Sequence, residues 1–223
     1  MLEVIYQDEY LVAINKPSGL LVHRSPIDKH ETRFAIQLTR DQIGQKVYPV
    51  HRLDKPTSGV LVFALSSEVA RKLTEQFTHS WIAKHYLAVV RGHCAPSGII
   101  DYPLQEQLDR IADALVDPNK PAQEAVTHYY TLAQTELPLA VGRYAAARYS
   151  LMALHPKTGR KHQLRRHMKH IFHPIIGDTT HGDGKHNQLF RQVFNCPRLL
   201  LHAVCLVLTH PMTGLPLTLR AIA

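Results

Sequence analysis

His51-Arg52-Leu53-Asp54-Lys55-Pro56-Thr57-Ser58-Gly59 sets one carboxylate beside an arginine, turns the backbone through Pro56 to Gly59, and then enters the apolar run Val60-Leu61-Val62-Phe63-Ala64. An acid on a loop delivered by a strand is held by the scaffold and can be aimed at a substrate. Asp54 is therefore the first candidate for chemistry.

Outward from this stretch, the chain alternates short strands with a few helices. Glu3 to Gln7 and Tyr10 to Ile14 are β-rich runs on either side of Asp8-Glu9, a hairpin-like start that leads into Lys16-Pro17-Ser18-Gly19. Thr32 is placed to cap a short helix with Phe34, Leu38 and Ile43 on its apolar side and Gly44 as terminator. Ser66 or Ser67 caps a second helix, in which Val69, Leu73 and Phe77 recur every four residues as one buried stripe. Further strands are expected at Tyr86 to Val90, Val126 to Ala133, Arg148 to Leu154, Leu199 to Leu208 and Leu217 to Ala221. Asp109 to Gln123 is polar and proline-bearing and reads as a surface excursion rather than a linker. Strands outnumber helices and adjoin short turns. The class is α+β with a largely antiparallel or mixed sheet, in one domain over 1–223.

Composition narrows the partners. Lys+Arg of 26 against Asp+Glu of 18 gives a formal charge of +8, which suits a polyanion, because neutralised phosphates release counterions. Three cysteines, Cys94, Cys196 and Cys205, are too few for a disulfide framework and fit a reducing compartment. The first ten residues carry acids and no basic leader, so no secretory signal is read there. Leu199 to Leu208, the longest apolar run, is interrupted by His202 and is half a bilayer span. A cytoplasmic location is expected.

Thr158-Gly159-Arg160-Lys161-His162-Gln163-Leu164-Arg165-Arg166-His167, continuing to His173-Pro174-Ile175-Ile176-Gly177-Asp178, is the second informative element. Read as a helix from Arg160 to Ile171, it places Leu164, Met168 and Ile171 on an apolar face, with Lys161, Arg165 and Lys169 as a basic row beside it. A third element, Lys84-His85-Tyr86-Leu87-Ala88, starts a strand; taken alone, Tyr86 reads as a half-buried strand tyrosine. Among the sixteen histidines, His162, His167, His170 and His173 invite a metal. Their spacing does not bring all four to one helix face and no acid or cysteine lies among them, so no metal site is read. No phosphate-cradling glycine loop is present, and no nucleotide cofactor is called for.

Taken together, HRLD followed by TSG, the GRKHQLRRH run and the K-x-Y-x-A element resemble the RluA-type pseudouridine synthase family. Lys16-Pro17-Ser18-Gly19, Arg198 to Ala203 and His210-Pro211-Met212-Thr213-Gly214 extend the likeness over nearly the whole chain, in the family's order. The resemblance implies a pseudouridine synthase catalytic fold, with a central, mostly antiparallel sheet flanked by helices and a cleft across it. It implies Asp54 as catalytic residue, Arg165 as its ion-pair partner, Leu164 against the target base, and Tyr86 stacked on that base. Arg52 then helps fill the place of a flipped-out uridine, and Arg160 and Lys16 join the substrate contacts with His51, whose part is read as support of the loop. No cofactor is implied. The partner is RNA, and the chain is expected to be a monomer without an appended N-terminal S4-like RNA-binding module. Within the family, His23-Arg24-Ser25, Arg40 to Gln45, the proline in HRLDKPTSG and Leu65-Ser66-Ser67-Glu68 are most similar to the branch that modifies uridine 65 in the tRNA T-stem. The same chemistry on ribosomal RNA or another tRNA position stays open at this point. Remoter alternatives are a non-catalytic RNA-binding protein, and a hydrolase using Asp54 with a histidine.

Overall fold

The computed structural model describes residues 1–24, 30–106 and 121–223. The expected excursion at Asp109 to Gln123 falls almost entirely outside these residues, as does Ser25. In chain order the elements are β1 (Glu3–Gln7), β2 (Leu11–Lys16), α1 (Ala35–Ile43), β3 (Tyr48–Pro49), β4 (Ser58–Ala64), α2 (Ser67–Thr78), β5 (Ala83–Arg91), β6 (Ser97–Asp101), β7 (Val126–Leu137), β8 (Ala147–Pro156), α3 (Gln163–His170), α4 (Gly184–Val193), β9 (Leu201–Thr209) and β10 (Pro216–Arg220). The α+β class read from the sequence holds, and the strand pairs described below are all antiparallel. Two compact units divide the chain. One comprises Met1–Lys84 and Ala203–Ala223, the other His85–Glu106 and Pro121–His202.

In the first unit, β1 and β2 form the expected hairpin, closed by Asp8 Oδ1, which accepts from the N–H groups of Tyr10 and Leu11 at 2.7 and 2.9 Å. β2 pairs with β4 in a register that sets Leu11 opposite Ala64 and Lys16 opposite Gly59. All seven residues of β4 are buried. Its Val60, Val62 and Ala64 pack with Val69 and Leu73 of α2, the stripe read from the sequence. Ser66 caps α2 by accepting from Val69 N–H at 3.2 Å. Gln76 of α2 both donates to and accepts from the backbone of Thr209, which ties the helix to β9. The cap expected at Thr32 is not formed. α1 starts after Phe34, with no side-chain cap, because the first N–H groups at Ala35 and Ile36 donate to the carbonyls of Leu21 and Val22. Gly44 ends α1 as read, in the left-handed region at φ 68°.

In the second unit, β8 lies between β5 and β7, and β6 pairs with β7. Ala88, Val90, Met152 and Leu154 on one face of these strands pack with Leu164 and Met168 of α3. α3 begins at Gln163 rather than Arg160. The Gln163 side chain accepts from Arg160 N–H and Thr158 Oγ1 at 3.0 and 2.7 Å and donates to Val126 O at 3.0 Å, which holds Thr158 to His162 as a turn. The three cysteines are free thiols.

Candidate active site

The loop bearing Asp54 is fixed from several sides within the first unit. Its Thr57 N–H closes a turn onto the Asp54 carbonyl at 3.0 Å. Gly19 N–H donates to Lys55 O at 2.9 Å and Ser18 Oγ donates to Pro56 O at 2.7 Å, so the KPSG turn braces the acidic loop directly. Between them lies Lys16, whose side chain is fully buried. Its ammonium donates to the carbonyls of Pro17, Leu20 and Lys55 at 3.0, 2.8 and 3.1 Å. Burial pushes the Lys16 pKa down to about 7, opposed by the negative charge of Asp54. Gly59 ends the loop at φ +113°, and a Cβ there would lie 2.3 Å from the Ala203 carbonyl oxygen. Only glycine fits both the conformation and the approach.

His51 turns inward. Its Nε2 accepts from Val62 N–H at 3.0 Å and its ring stacks on Phe77 at 4.4 Å. Burial first, then the nearby Lys84 charge, push its pKa down to about 3, which keeps it the neutral acceptor this bond requires. Arg52 is exposed, Leu53 is buried and Asp54 is half-buried. The first unit thus gathers Lys16, His51, Arg52 and Asp54.

Tyr86, Leu164, Arg160 and Arg165 belong to the second unit. Tyr86, half-buried on β5, packs against the apolar cluster that contains Leu164. Arg160 is exposed and donates through Nε to Glu124 O at 2.9 Å. Arg165 departs from the basic row expected at a rim. It is 4% exposed and donates through Nε and Nη2 to the two carboxylate oxygens of Asp178 at 2.7 and 2.8 Å. Burial alone would raise the Asp178 pKa, but Arg165 and the His181 and Thr180 N–H groups outweigh it and hold the carboxyl below its usual range. The sequence reading quoted Asp178 at the end of HPIIGD without assigning it a role. A carboxylate directly after a glycine, thirteen residues beyond the key arginine, was the available signal.

The histidines considered for a metal have protein partners. His167 Nε2 donates to Tyr102 O, His170 stacks on Tyr102, His173 Nδ1 meets Arg91 O, and His162 Nδ1 meets His181 Nε2 at 3.1 Å. Among the described residues no group of His, Cys, Asp and Glu has the arrangement of a metal site.

A family model described as RNA pseudouridylate synthase matches residues 10–170, and the chain belongs to that family of uridine isomerases. The motifs around Asp54 and Arg165 are those of its RluA-type members. Among similar curated proteins, tRNA pseudouridine synthase C of Pectobacterium carotovorum subsp. carotovorum is 63% identical over 99% of this chain, which spans 59% of that relative's length. The proteins of the same name from Vibrio cholerae serotype O1 and Yersinia pestis are 60% and 61% identical, again over 99% of this chain, which covers 91% and 86% of their lengths. Among solved structures, human RNA pseudouridylate synthase domain containing 4 is 28% identical with a TM-score of 0.70, covering 99% of this chain and 88% of that one. Human RNA pseudouridylate synthase domain containing 1, at 24% identity, shares the fold with a TM-score of 0.75 over 100% of this chain and 84% of that one.

Proposed function

We propose that the chain converts uridine 65 in the T-stem of tRNA to pseudouridine, as a cytoplasmic monomer with one catalytic domain over 1–223 and no cofactor. The observation that carries this reading is identity of 55 to 63% with proteins named tRNA pseudouridine synthase C, sustained over 99% of the chain. The formal charge of +8 supports recognition of a folded RNA through its backbone. Among the described residues, no helix is long and apolar enough to cross a membrane.

The reaction breaks the bond between uracil N1 and ribose C1′, turns the base, and rejoins it through C5. C5 loses a proton and N1 gains one, so the product is an isomer. Asp54 is assigned as the catalytic carboxylate, acting as nucleophile at C1′ or as base at C2′. Arg165 is assigned to hold that carboxylate, Leu164 to pack against the base, and Tyr86 to stack on it and relay the C5 proton. A stem uridine must leave the helix to react, and exposed Arg52 suits the vacated place. Arg160 is assigned to the RNA backbone. The inward contacts of Lys16 and His51 support a share in substrate binding exerted through the loop they hold.

The test offers purified protein total tRNA and ribosomal RNA side by side and maps modified positions by carbodiimide-stop sequencing. A new stop at tRNA position 65, weakening steeply with added salt, is expected. Product confined to ribosomal RNA overturns the substrate assignment, and no product on either overturns the function.

A further inference from the structure

The Arg165–Asp178 pair is almost fully removed from water, with side-chain exposures of 4% and 0%. Burial of an ion pair is a poor source of stability, because the desolvation of both charges cancels most of their attraction. Its contribution is geometric. Engaging Nε and Nη2 together fixes the plane and rotamer of a guanidinium, which one hydrogen bond cannot do.

Asp178 is itself held more firmly than a simple counterion needs. Its Oδ1 accepts from the N–H groups of Thr180 and His181, both at 2.9 Å. Its carbonyl accepts from Asn187 Nδ2 at 2.8 Å, and Asn187 Oδ1 accepts from Gly177 N–H at 2.7 Å. Asn187 is the only buried residue of α4. Close packing seals the socket. A Cβ on Gly177, at φ +80°, would lie 2.0 Å from Arg198 O, and one on Gly182 would lie 2.1 Å from Asp178 O.

We propose that Asp178 is a positioning residue for the isomerisation, setting the orientation of Arg165 and balancing its charge so that this arginine serves the Asp54 carboxylate. The proposal rests on the reading above that Arg165 holds Asp54. Besides Arg165, the titratable groups acting on this network are His181, His162 and Lys169. Burial pushes His181 down to about 4, so it stays neutral near pH 7 and the socket holds one negative charge against the arginine. Without that charge, Arg165 tilts and presents an unbalanced cation to Asp54, which binds the reactive carboxylate too well and aims it less well.

The experiment compares whole-chain wild type, Asp178→Asn and Asp178→Glu on tRNA. Asparagine retains an acceptor for Thr180 and His181 while removing the charge. The expected result is a kcat about 10²-fold lower, the loss typical of a misplaced catalytic group, with KM within about threefold of wild type. The acid limb of the kcat profile should move to lower pH, which a merely structural role would not produce. Glutamate should recover part of kcat by restoring the charge. A kcat for Asp178→Asn within about twofold of wild type, with an unmoved acid limb, overturns the proposal. Should that variant not fold, Asn187→Ala loosens the socket without touching its charge. Lower kcat at unchanged KM then supports the proposal, and an unchanged kcat overturns it. Asp54→Asn and Arg165→Ala run beside these. If either is active, the site reading itself fails; if both are inactive while Asp178→Asn is fully active, only the present inference fails.

Discussion

Replacing Lys16 by methionine tests whether one buried cation holds the loop that bears Asp54. A pKa moved from 10.5 to about 7 means that keeping the ammonium charged in the fold costs roughly 5 kcal/mol. Three charge-assisted bonds to carbonyls hold the ammonium in place, and that cost is what remains after their contribution. Methionine fills nearly the same volume and removes both terms. Lys55 O keeps the Gly19 N–H as a donor, whereas the carbonyls of Pro17 and Leu20 lose the Lys16 donor. At about 1–3 kcal/mol for each such carbonyl, a loss of about 2–6 kcal/mol stands against the roughly 5 kcal/mol that methionine relieves, so the two proteins should be of similar stability at pH 7 and Lys16→Met the less stable as pH rises. The pH dependence carries a second signature. Below pH 7 both folded and unfolded chains hold the Lys16 proton and the penalty is complete; between about 7 and 10.5 the unfolded chain binds more protons, so stability rises with pH. Wild type should therefore gain up to about 1.4 kcal/mol per pH unit in this window from Lys16, and Lys16→Met should lack that slope. Urea unfolding of both proteins at pH 7, 8 and 9, with pseudouridine formation measured in parallel, reads each quantity. Parallel stability profiles and undiminished activity would refute the reasoning.

Three further outcomes are expected. Asp54→Asn should fold and bind tRNA at least as well as wild type while product falls below detection in the mapping assay; activity within about tenfold of wild type sinks the catalytic assignment. Gly59→Ala brings a Cβ against the Ala203 backbone at a positive φ and should cost about 3 kcal/mol or more in urea unfolding, with activity lost in proportion to folded protein. His51 binds its proton only near pH 3 in the fold and near 6.5 when unfolded, so acidification from 6.5 should destabilise the protein by up to about 1.4 kcal/mol per unit. His51→Gln, which keeps an acceptor for Val62 N–H and does not titrate, should flatten that acid slope.

The parts of the fold that were legible are those in which one segment carries its own instruction. The stripe Val69, Leu73 and Phe77 with Ser66 ahead of it defines α2, and Gly44 stops α1, because periodicity and capping act within a few residues. α4 is less plain: Asp183 caps it, but its apolar side is short, with Leu189 and Phe190 half-buried against the cluster around Tyr149, and its one buried residue, Asn187, is tied to the distant Gly177 and Asp178. β6 was silent, since its Ile99 is 65% exposed and its place depends on pairing with β7. The same division runs through the site. The motif signalled Asp54 and Arg165, but that Arg165 grips Asp178 follows from how α3 meets the turn after Ile176, which spacing does not encode. Lys16 is the sharper lesson. The resemblance implies Lys16 as a substrate contact, whereas the fold closes completely over it and turns its charge on three carbonyls.

The pairing of Lys16 with Gly59 across β2 and β4 has a bearing on how such a sequence can drift. Both loops that define the acid's position leave from the same end of two adjacent strands whose buried side chains tolerate little change. A mutation that shifts this register would move every side chain of β4 to the wrong face and abolish folding before it could yield a folded enzyme with a displaced carboxylate. Purifying selection on stability alone therefore guards the location of Asp54. Exposed positions such as Arg52 and Arg160 are not constrained by the strands in this way.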